Sequence, residues 1–398
     1  MKVPGKPRRR ELDFVRGIAI LMVMFAHFKK PTTGIALLDG FNWALGLGGG
    51  HGVDLFFVLS GFLVGGLLLK EYKETHSVQP LRFLVRRGLK IWPAYYVLIL
   101  FHVVTRHHPL NSFLWQNLFH VQNYFGSSIA QTWTLSIEEH FYLLLALLLG
   151  FVATRGWTPS KILKLLVAIS GAAMAARCLT SYLGNIEGAL RWTQNRVDSL
   201  LFGVIIALLF YFMPEAYARI SKRAWPLLAV CALGVAFTLT VPDGSFLLRG
   251  PGLTLLYISC GAFLILVMEY SRKLTELWIY RMIAQIGLYS YGIYLWHSLP
   301  LGLGELILAR YSGWPAWFLA LSVQFTIAVA IGYVTTRLIE WPVLYYRESI
   351  PWLRDSKPLL AANEDPGPSH SDHPHKGSIA TPSVESSGKK PRTTMTGV

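Results

Sequence analysis

The chain has 398 residues, of which 53% are hydrophobic and only 15% are charged, and its formal net charge is +15. This composition is too apolar for a soluble protein of this size and indicates a polytopic membrane protein. Lys and Arg gathered in cytoplasmic loops explain the basic balance, so we expect a lipid bilayer around the chain and no nucleic-acid partner.

About ten apolar segments are long enough, or nearly so, to span a bilayer. They lie at about 12–28, 45–69, 89–104, 135–153, 162–182, 198–213, 225–241, 251–269, 285–304 and 315–339. The loops on the side of the basic N-terminus are rich in Lys and Arg, whereas the opposite loops are poor in them. This asymmetry predicts an all-α membrane bundle in the inner (plasma) membrane, with both termini cytoplasmic.

Two regions outside these segments differ from them in composition. Residues 106–134 are aromatic and amphipathic but too short to cross the membrane twice, which predicts an interfacial or re-entrant element on the outer side. The chain end is rich in Pro, Ser, Lys and Gly, which predicts a disordered cytoplasmic tail over 350–398 after a membrane domain over 1–349. The cysteines lack CxxC or CxxH spacing and the tail histidines lack acidic or thiol partners, so no metal site is expected.

The first apolar segment, ELDFVRGIAILMVMFAHF, contains two ionisable residues, Arg16 and His27. One charge at a helix centre costs roughly 2.5 to 3.5 kcal/mol to insert, so such residues suggest a function. Eleven positions make about three helical turns, which puts both side chains on one face about 16 Å apart, with Asp13 able to neutralise Arg16. They are predicted to line one slot, although snorkelling to opposite headgroup layers would also explain them.

The next two segments add an acid and a cationic collar. Asp54 is predicted to be buried and therefore to need a His or Arg partner from another helix. A row of cations stands at helical spacing directly before the third segment, at Arg82, Arg86, Arg87 and Lys90. The row fits either an ordinary positive-inside collar or a docking site for a soluble anion that carries phosphates.

The later segments place further ionisable groups near their outer ends. Glu138 and Glu139 are neighbours on one helix, so their side chains point about 100 degrees apart and only one should face the interior; we favour Glu138. Arg196, Asp198 and His297 also lie in outer halves of their segments. Several of these groups could instead be satisfied structural pairs.

The sequence resembles the membrane-bound acyltransferase family 3, whose members include O-antigen and peptidoglycan O-acetylases and macrolide acyltransferases. Six stretches carry the resemblance in the family's order across about residues 11–346: LDFVRGIAILMVMFAH, GVDLFFVLSGFL, RFLVRRGLKIWPAYY, TWTLSIEEHFYL, RVDSLLFGVIIALL and SYGIYLWH. The chain departs from the family's pattern at His140, where a glutamine is usual, at Lys90, where an arginine is usual, and in lacking a proline after EEHFYLLL. These departures bear on contacts with the acceptor and leave the reaction class intact.

The resemblance implies O-acyl transfer from acyl-CoA, most often acetyl-CoA, to a hydroxyl of a sugar or related acceptor. By the resemblance His27 is the catalytic histidine, Arg16 belongs to the same motif, and Arg86 and Arg87 belong to the arginine motif associated with coenzyme binding. Acyl-CoA is then a co-substrate, and no tightly bound cofactor is expected. The acceptor is a polysaccharide, a lipid-linked sugar or a small hydroxylated molecule, and we expect the membrane domain itself to handle it.

We hypothesise that a neutral His27 removes the proton of the acceptor hydroxyl, while Glu138 or Asp54 orients the imidazole or holds the acceptor. The candidates for donor or substrate binding are Arg16, Arg82, Arg86, Arg87, Asp54, Arg196 and His297. The main alternative is a proton-coupled transporter, because His, Asp and Glu inside a bundle also describe a proton relay. A purely structural or sensory membrane protein is a third possibility. The ordered motifs favour the enzyme.

Overall fold

The computed structural model describes residues 9–28, 30–105 and 110–353. Within these ranges the chain is built from helices, with no β-strand. The all-α, multi-pass bundle predicted from the sequence is therefore confirmed. Residues 354–398, most of the predicted tail, lie outside the described residues, so the division between 1–349 and 350–398 stays a prediction.

The α-helices of the described residues are α1 (Arg10–His27), α2 (Ala36–Gly49), α3 (Gly52–Thr75), α4 (Pro80–Thr105), α5 (Leu114–Leu118), α6 (Gln122–Phe125), α7 (Trp133–Thr154), α8 (Pro159–Tyr182), α9 (Ile186–Arg191), α10 (Thr193–Phe212), α11 (Pro214–Ser221), α12 (Ala224–Thr240), α13 (Leu253–Tyr270), α14 (Trp278–Leu288), α15 (Ser290–Trp296), α16 (Leu301–Leu308), α17 (Gly313–Thr335) and α18 (Trp341–Ser349). Short 3-10 turns lie at Leu110–Ser112, Ala130–Thr132, Ser271–Leu274 and Pro351–Leu353. Single π-helical turns lie at Leu248–Gly252 and Thr336–Glu340.

The number of spans is lower than the sequence predicts. Across the described ranges, 7 helical segments are long and apolar enough to cross a membrane, or 8 if α11 and α12, which meet at a 69° bend, form one span. The α1 helix is not among these candidate spans, because its first two turns carry four charged residues, Arg10, Glu11, Asp13 and Arg16. The predicted segment 285–304 is divided among α14, α15 and α16, with a break at Tyr289 and a turn that ends at Pro300, which has no N–H to continue a helix.

Two glycines let α1 and α14 cross at van der Waals distance. A Cβ atom on Gly17 would lie 2.1 Å from the carbonyl oxygen of Ile283, and one on Gly287 would lie 1.8 Å from the carbonyl oxygen of Asp13. No other residue type fits at either position without separating the backbones. The crossing therefore fixes the N-terminal half of α1, the part that carries Asp13 and Arg16.

The α3 and α10 helices pack in the same way at the centre of the bundle. A Cβ on Gly61 would lie 1.9 Å from the carbonyl oxygen of Leu200, and one on Gly203 would lie 2.1 Å from that of Val58. Small residues at such crossings are what allow membrane helices to approach closely. This contact sets the distance between the two helices that carry Asp54 and Arg196.

The described residues between α4 and α7, 110–132, form short helices and turns instead of a span. Tyr95 on α4 donates a hydrogen bond to the side-chain oxygen of Asn117 at 2.9 Å, and Gln122 donates to the carbonyl oxygen of Thr132 at 2.9 Å. Asn117 and Thr132 are fully buried. Irregular backbone is tolerated in a membrane protein where it is buried in protein and hydrogen-bonded, so this network explains how the segment packs against the bundle.

Candidate active site

A cavity of about 430 Å³ opens among α1, α3, α4, α7, α10 and α15. Five cations and two carboxylates contribute to its lining: Arg9, Arg16, Lys70, Arg87, Lys90, Asp13 and Glu138. The rest of the wall is largely apolar, so these charges act in a medium that screens them less than bulk water. The excess of positive charge suits a ligand that carries several negative charges.

Arg16 reaches this cavity with Asp13 beside it. The guanidinium Nη1 lies 2.5 Å from Asp13 Oδ1, and both residues line the wall. His27, three turns further along α1, does not line the same cavity. This cavity therefore does not form the single slot predicted for Arg16 and His27, because the turns that approach His27 pack into the core, where Val23 and Met24 are buried.

Of the predicted arginine collar, Arg87 and Lys90 reach the cavity. The guanidinium carbon of Arg87 lies 5.5 Å from the ring centre of Phe83. No carboxylate in the described part of the chain forms an ion pair with Arg87. Positions 87 and 90 share one face of α4. A half-buried guanidinium without a carboxylate partner keeps its N–H donors available for a ligand.

Arg82 and Arg86 lie away from the cavity lining and have protein partners. Arg82 forms an ion pair with Glu71 near the end of α3, at 2.5 Å. Arg86 donates a hydrogen bond to the carbonyl oxygen of Leu353 and lies 3.8 Å from Glu348. The structure therefore separates these two predicted donor-binding residues from Arg87: Arg82 ties α4 to α3, and Arg86 ties α4 to the segment that contains Glu348 and Leu353.

Glu138 is the carboxylate that faces the interior. It lines the cavity together with Ser60 and Tyr142, whose hydroxyl oxygens are 2.7 Å apart. Its neighbour Glu139 points elsewhere and accepts a hydrogen bond from Trp92 Nε1 at 3.1 Å. This divergence is the one expected for adjacent residues of a helix.

His27 and His297 are brought together although they are 270 residues apart in sequence. His27 Nδ1 lies 3.1 Å from His297 Nε2, and His297 Nδ1 lies 2.7 Å from the carbonyl oxygen of Tyr294. His297 is 2% exposed, whereas His27 at the end of α1 is an exposed residue. Tyr294 also lines the cavity, so the cavity wall and the histidine pair share one residue.

The structure corrects the expected partner of His27 and the role of two binding candidates. Neither Glu138 nor Asp54 contacts the imidazole of His27; His297 does. Asp54 instead forms a buried ion pair with Arg196 at 2.5 Å and lies 3.1 Å from His51 Nδ1. Both members of the pair are 2% exposed and neither lines the cavity. A carboxylate at this depth needs such compensation, so the pair joins α3 to α10.

Sequence reasoning missed a second buried ion pair and a tyrosine. Arg177, which is fully buried, lies 2.6 Å from Asp198 and donates to the carbonyl oxygen of Gly250 at 2.9 Å. The arginine within the apolar run AARCLT was a sufficient signal that a buried ion pair forms there. Tyr294 was also missed, although it stands one helical turn before His297 in the motif SYGIYLWH.

The arrangement offers two kinds of chemistry. The cavity supplies cations that can hold an anion, and the histidine pair supplies an exposed ring, that of His27, whose nitrogen can accept and release a proton. Among the residues described in the structure, no group of three or more His, Cys, Asp or Glu side chains is arranged to hold a metal ion. A reaction that joins the anion site to the histidine pair would pass Tyr294.

Comparison with known proteins gives a family match over most of the chain. The family model described as an acyltransferase domain matches residues 9–335. The peptidoglycan O-acetyltransferase OatA of Listeria monocytogenes is 29% identical over 319 residues, covering 72% of this chain and 48% of the relative. No solved structure matches the chain.

Two further relatives agree with this match. The putative peptidoglycan O-acetyltransferase YrhL of Bacillus subtilis is 29% identical over 316 residues, covering 72% of this chain and 47% of the relative. The O-acetyltransferase OatA of Staphylococcus aureus is 25% identical over 313 residues, covering 72% and 49%. The chain thus spans about half the length of the curated relatives that it matches.

Proposed function

Because this chain belongs to the family of the acyltransferase domain, we propose that it is a multi-pass membrane O-acetyltransferase that modifies a cell-envelope carbohydrate. The relatives named above are O-acetyltransferases, and two of them are named for peptidoglycan. For this chain we propose a hydroxyl of peptidoglycan as the first acceptor to test.

The donor in this proposal is acetyl-CoA from the cytoplasm. The observation that carries it is the charge of the cavity, where five cations face two carboxylates. Coenzyme A carries phosphates at one end, and guanidinium groups bind phosphate through paired N–H donors. Arg87, which has no carboxylate partner in the described part of the chain, is the cation we assign first to the phosphates, with Arg16 and Lys90 as further contacts.

The rest of the donor would extend from these cations along the apolar wall toward Tyr294. This direction leads to Tyr294, a wall residue whose carbonyl oxygen contacts His297, and His297 in turn contacts His27. The thioester would then meet the acceptor hydroxyl beside His27.

In the reaction itself, His27 acts as general base. It takes the proton of the acceptor hydroxyl while the oxygen attacks the thioester carbonyl, and the C–S bond breaks as the new ester C–O bond forms. The proton then passes from His27 to the departing thiolate, which leaves as the thiol of coenzyme A. Glu138, with Ser60 and Tyr142 beside it, is assigned to holding polar groups of the donor or acceptor in the cavity.

The test compares purified wild type, His27→Ala and the control His76→Asn in lipid nanodiscs. His76 is an exposed residue with a φ of 52°, a conformation that Asn tolerates. With acetyl-labelled acetyl-CoA and isolated peptidoglycan, wild type and His76→Asn should release coenzyme A thiol and label the glycan, and His27→Ala should do neither. Transfer by His27→Ala at the wild-type rate would refute the assignment of the base, and an absence of transfer in wild type would favour the transporter.

A further inference from the structure

The hydrogen bonds of His297 fix which of its nitrogens carries the proton. A backbone carbonyl can only accept a hydrogen bond, so His297 Nδ1, 2.7 Å from the carbonyl oxygen of Tyr294, must be the protonated nitrogen. In the neutral imidazole the other nitrogen, Nε2, then carries a lone pair. The orientation of one buried ring is thereby set by the backbone.

The same reasoning identifies the protonated nitrogen of His27. His297 Nε2 lies 3.1 Å from His27 Nδ1, and since His297 Nε2 is an acceptor, His27 Nδ1 is the donor. A neutral His27 therefore carries its proton on Nδ1 and a lone pair on Nε2. The two ring centres are 5.1 Å apart with planes inclined by 34°, which suits contact between ring edges more than stacking. Because His297 is buried and His27 is exposed, the basic nitrogen is on the accessible ring.

We propose that His297 is a positioning residue that holds His27 in the tautomer with a basic Nε2, so that Nε2 can take the acceptor proton. The inference rests on the proposed function of His27. When Nε2 accepts the proton, His27 becomes an imidazolium whose Nδ1–H still donates to His297 Nε2, and a hydrogen bond from a charged donor is stronger than one from a neutral donor. The proton leaves again from His27 Nε2 to the thiolate, and His297 keeps its own proton throughout.

This role differs from the donor-binding role that the sequence suggested for His297. Its ring is 2% exposed and does not line the cavity, so it has no surface to offer to acyl-CoA. Both its ring nitrogens are already engaged, one by Tyr294 and one by His27. A residue so placed acts on the reaction through His27 only, as the orienting group of a catalytic triad acts through its histidine.

The direct test reads the tautomer without using activity. Protein labelled with 15N-histidine in nanodiscs gives ring-nitrogen signals, and the His27 signals are identified by their loss in His27→Ala. We expect a protonated Nδ1 and an unprotonated Nε2 for His27 in wild type. A protonated Nε2 and bare Nδ1 would overturn the inference even if the acetyltransferase activity is found, and the expected tautomer without any acetyl transfer would leave the inference standing while refuting the proposed function.

Two variants then test the consequence for rate. His297→Leu removes the acceptor, whereas His297→Gln can present a carboxamide oxygen to His27 Nδ1–H. We expect His297→Leu to lower kcat by at least about 100-fold with the KM for acetyl-CoA unchanged, which is the range for general-base catalysis, and His297→Gln to recover most of the loss. Equal losses in both variants, accompanied by a higher KM and a lower melting temperature, would indicate a structural role and overturn the proposal.

Discussion

The assignment of Arg87 to the donor phosphates gives a sharp prediction. Replacing it by Gln removes a charged donor that has no carboxylate partner in the described structure, while Arg347, Arg86 and Arg16 lie near enough for their charges to repel it. Loss of a hydrogen bond to a charged group costs about 1.5–3 kcal/mol, which corresponds to about a ten- to hundred-fold rise in the Kd of acetyl-CoA. Because the substitution also relieves repulsion between cations, we expect the melting temperature to stay the same or to rise.

Arg82→Gln is the matched control, since it removes the same group five positions earlier on α4. Arg82 pairs with Glu71 outside the cavity lining, so we expect its loss to lower the melting temperature and to leave the Kd unchanged. Calorimetric titration should compare acetyl-CoA with acetyl-pantetheine, which lacks the phosphates and should bind equally to wild type and Arg87→Gln. An unchanged Kd for acetyl-CoA in Arg87→Gln, or an equal loss in Arg82→Gln, would refute the reasoning.

Three further predictions concern stability and are measured by denaturation in detergent. Asp54→Asn should lower the free energy of unfolding by about 3–5 kcal/mol, because the buried guanidinium of Arg196 loses its charge partner; unchanged melting would contradict that role. Gly61→Val should force α3 and α10 apart and lower the melting temperature, whereas Gly171→Ala, with open space around its Cβ position, should melt like wild type. Burial lowers the pKa of His120 from its ordinary 6.5 to about 4. The unfolded chain therefore binds more protons between these pH values, so stability should fall as the pH drops from 6.5 to 4, and His120→Asn should show a weaker fall.

The parts of the fold that depend on local pattern were predictable from the sequence. Apolar length predicted the helical segments, and the angle between adjacent helical residues predicted that Glu138 and Glu139 would diverge, with one facing the interior. The cost of a buried carboxylate predicted that Asp54 needs a His or Arg partner from another helix, and Arg196 on α10 is that partner. Each of these predictions depends only on the pattern of one helix or on the cost of burying one charge.

The features that depend on contacts between distant segments were not predictable. Arg82, Arg86 and Arg87 belong to one cationic row in the sequence, and the positions of Glu71 and Glu348 distinguish the two that pair with protein from Arg87, which we propose as a ligand contact. The same holds for the breaks in the segment 285–304, where apolar length predicted one helix. The periodicity of one segment carries no information about which residues of other segments pack against it.

The break after α15 has a consequence for the orientation of the two histidines, and so for the base that we propose. In an uninterrupted helix the carbonyl of Tyr294 would receive the N–H of the residue four positions later, and the backbone would satisfy itself. The helix instead ends at Trp296 and turns at Pro300, and the freed carbonyl receives the ring of His297. This irregularity in the backbone thus fixes the proton on His297 Nδ1. The lone pair on His297 Nε2 then fixes the proton on His27 Nδ1 and leaves His27 Nε2 unprotonated. A straight helix over this stretch would contain the same residues, but the carbonyl of Tyr294 would be taken by a backbone N–H and would no longer fix the proton on His297 Nδ1.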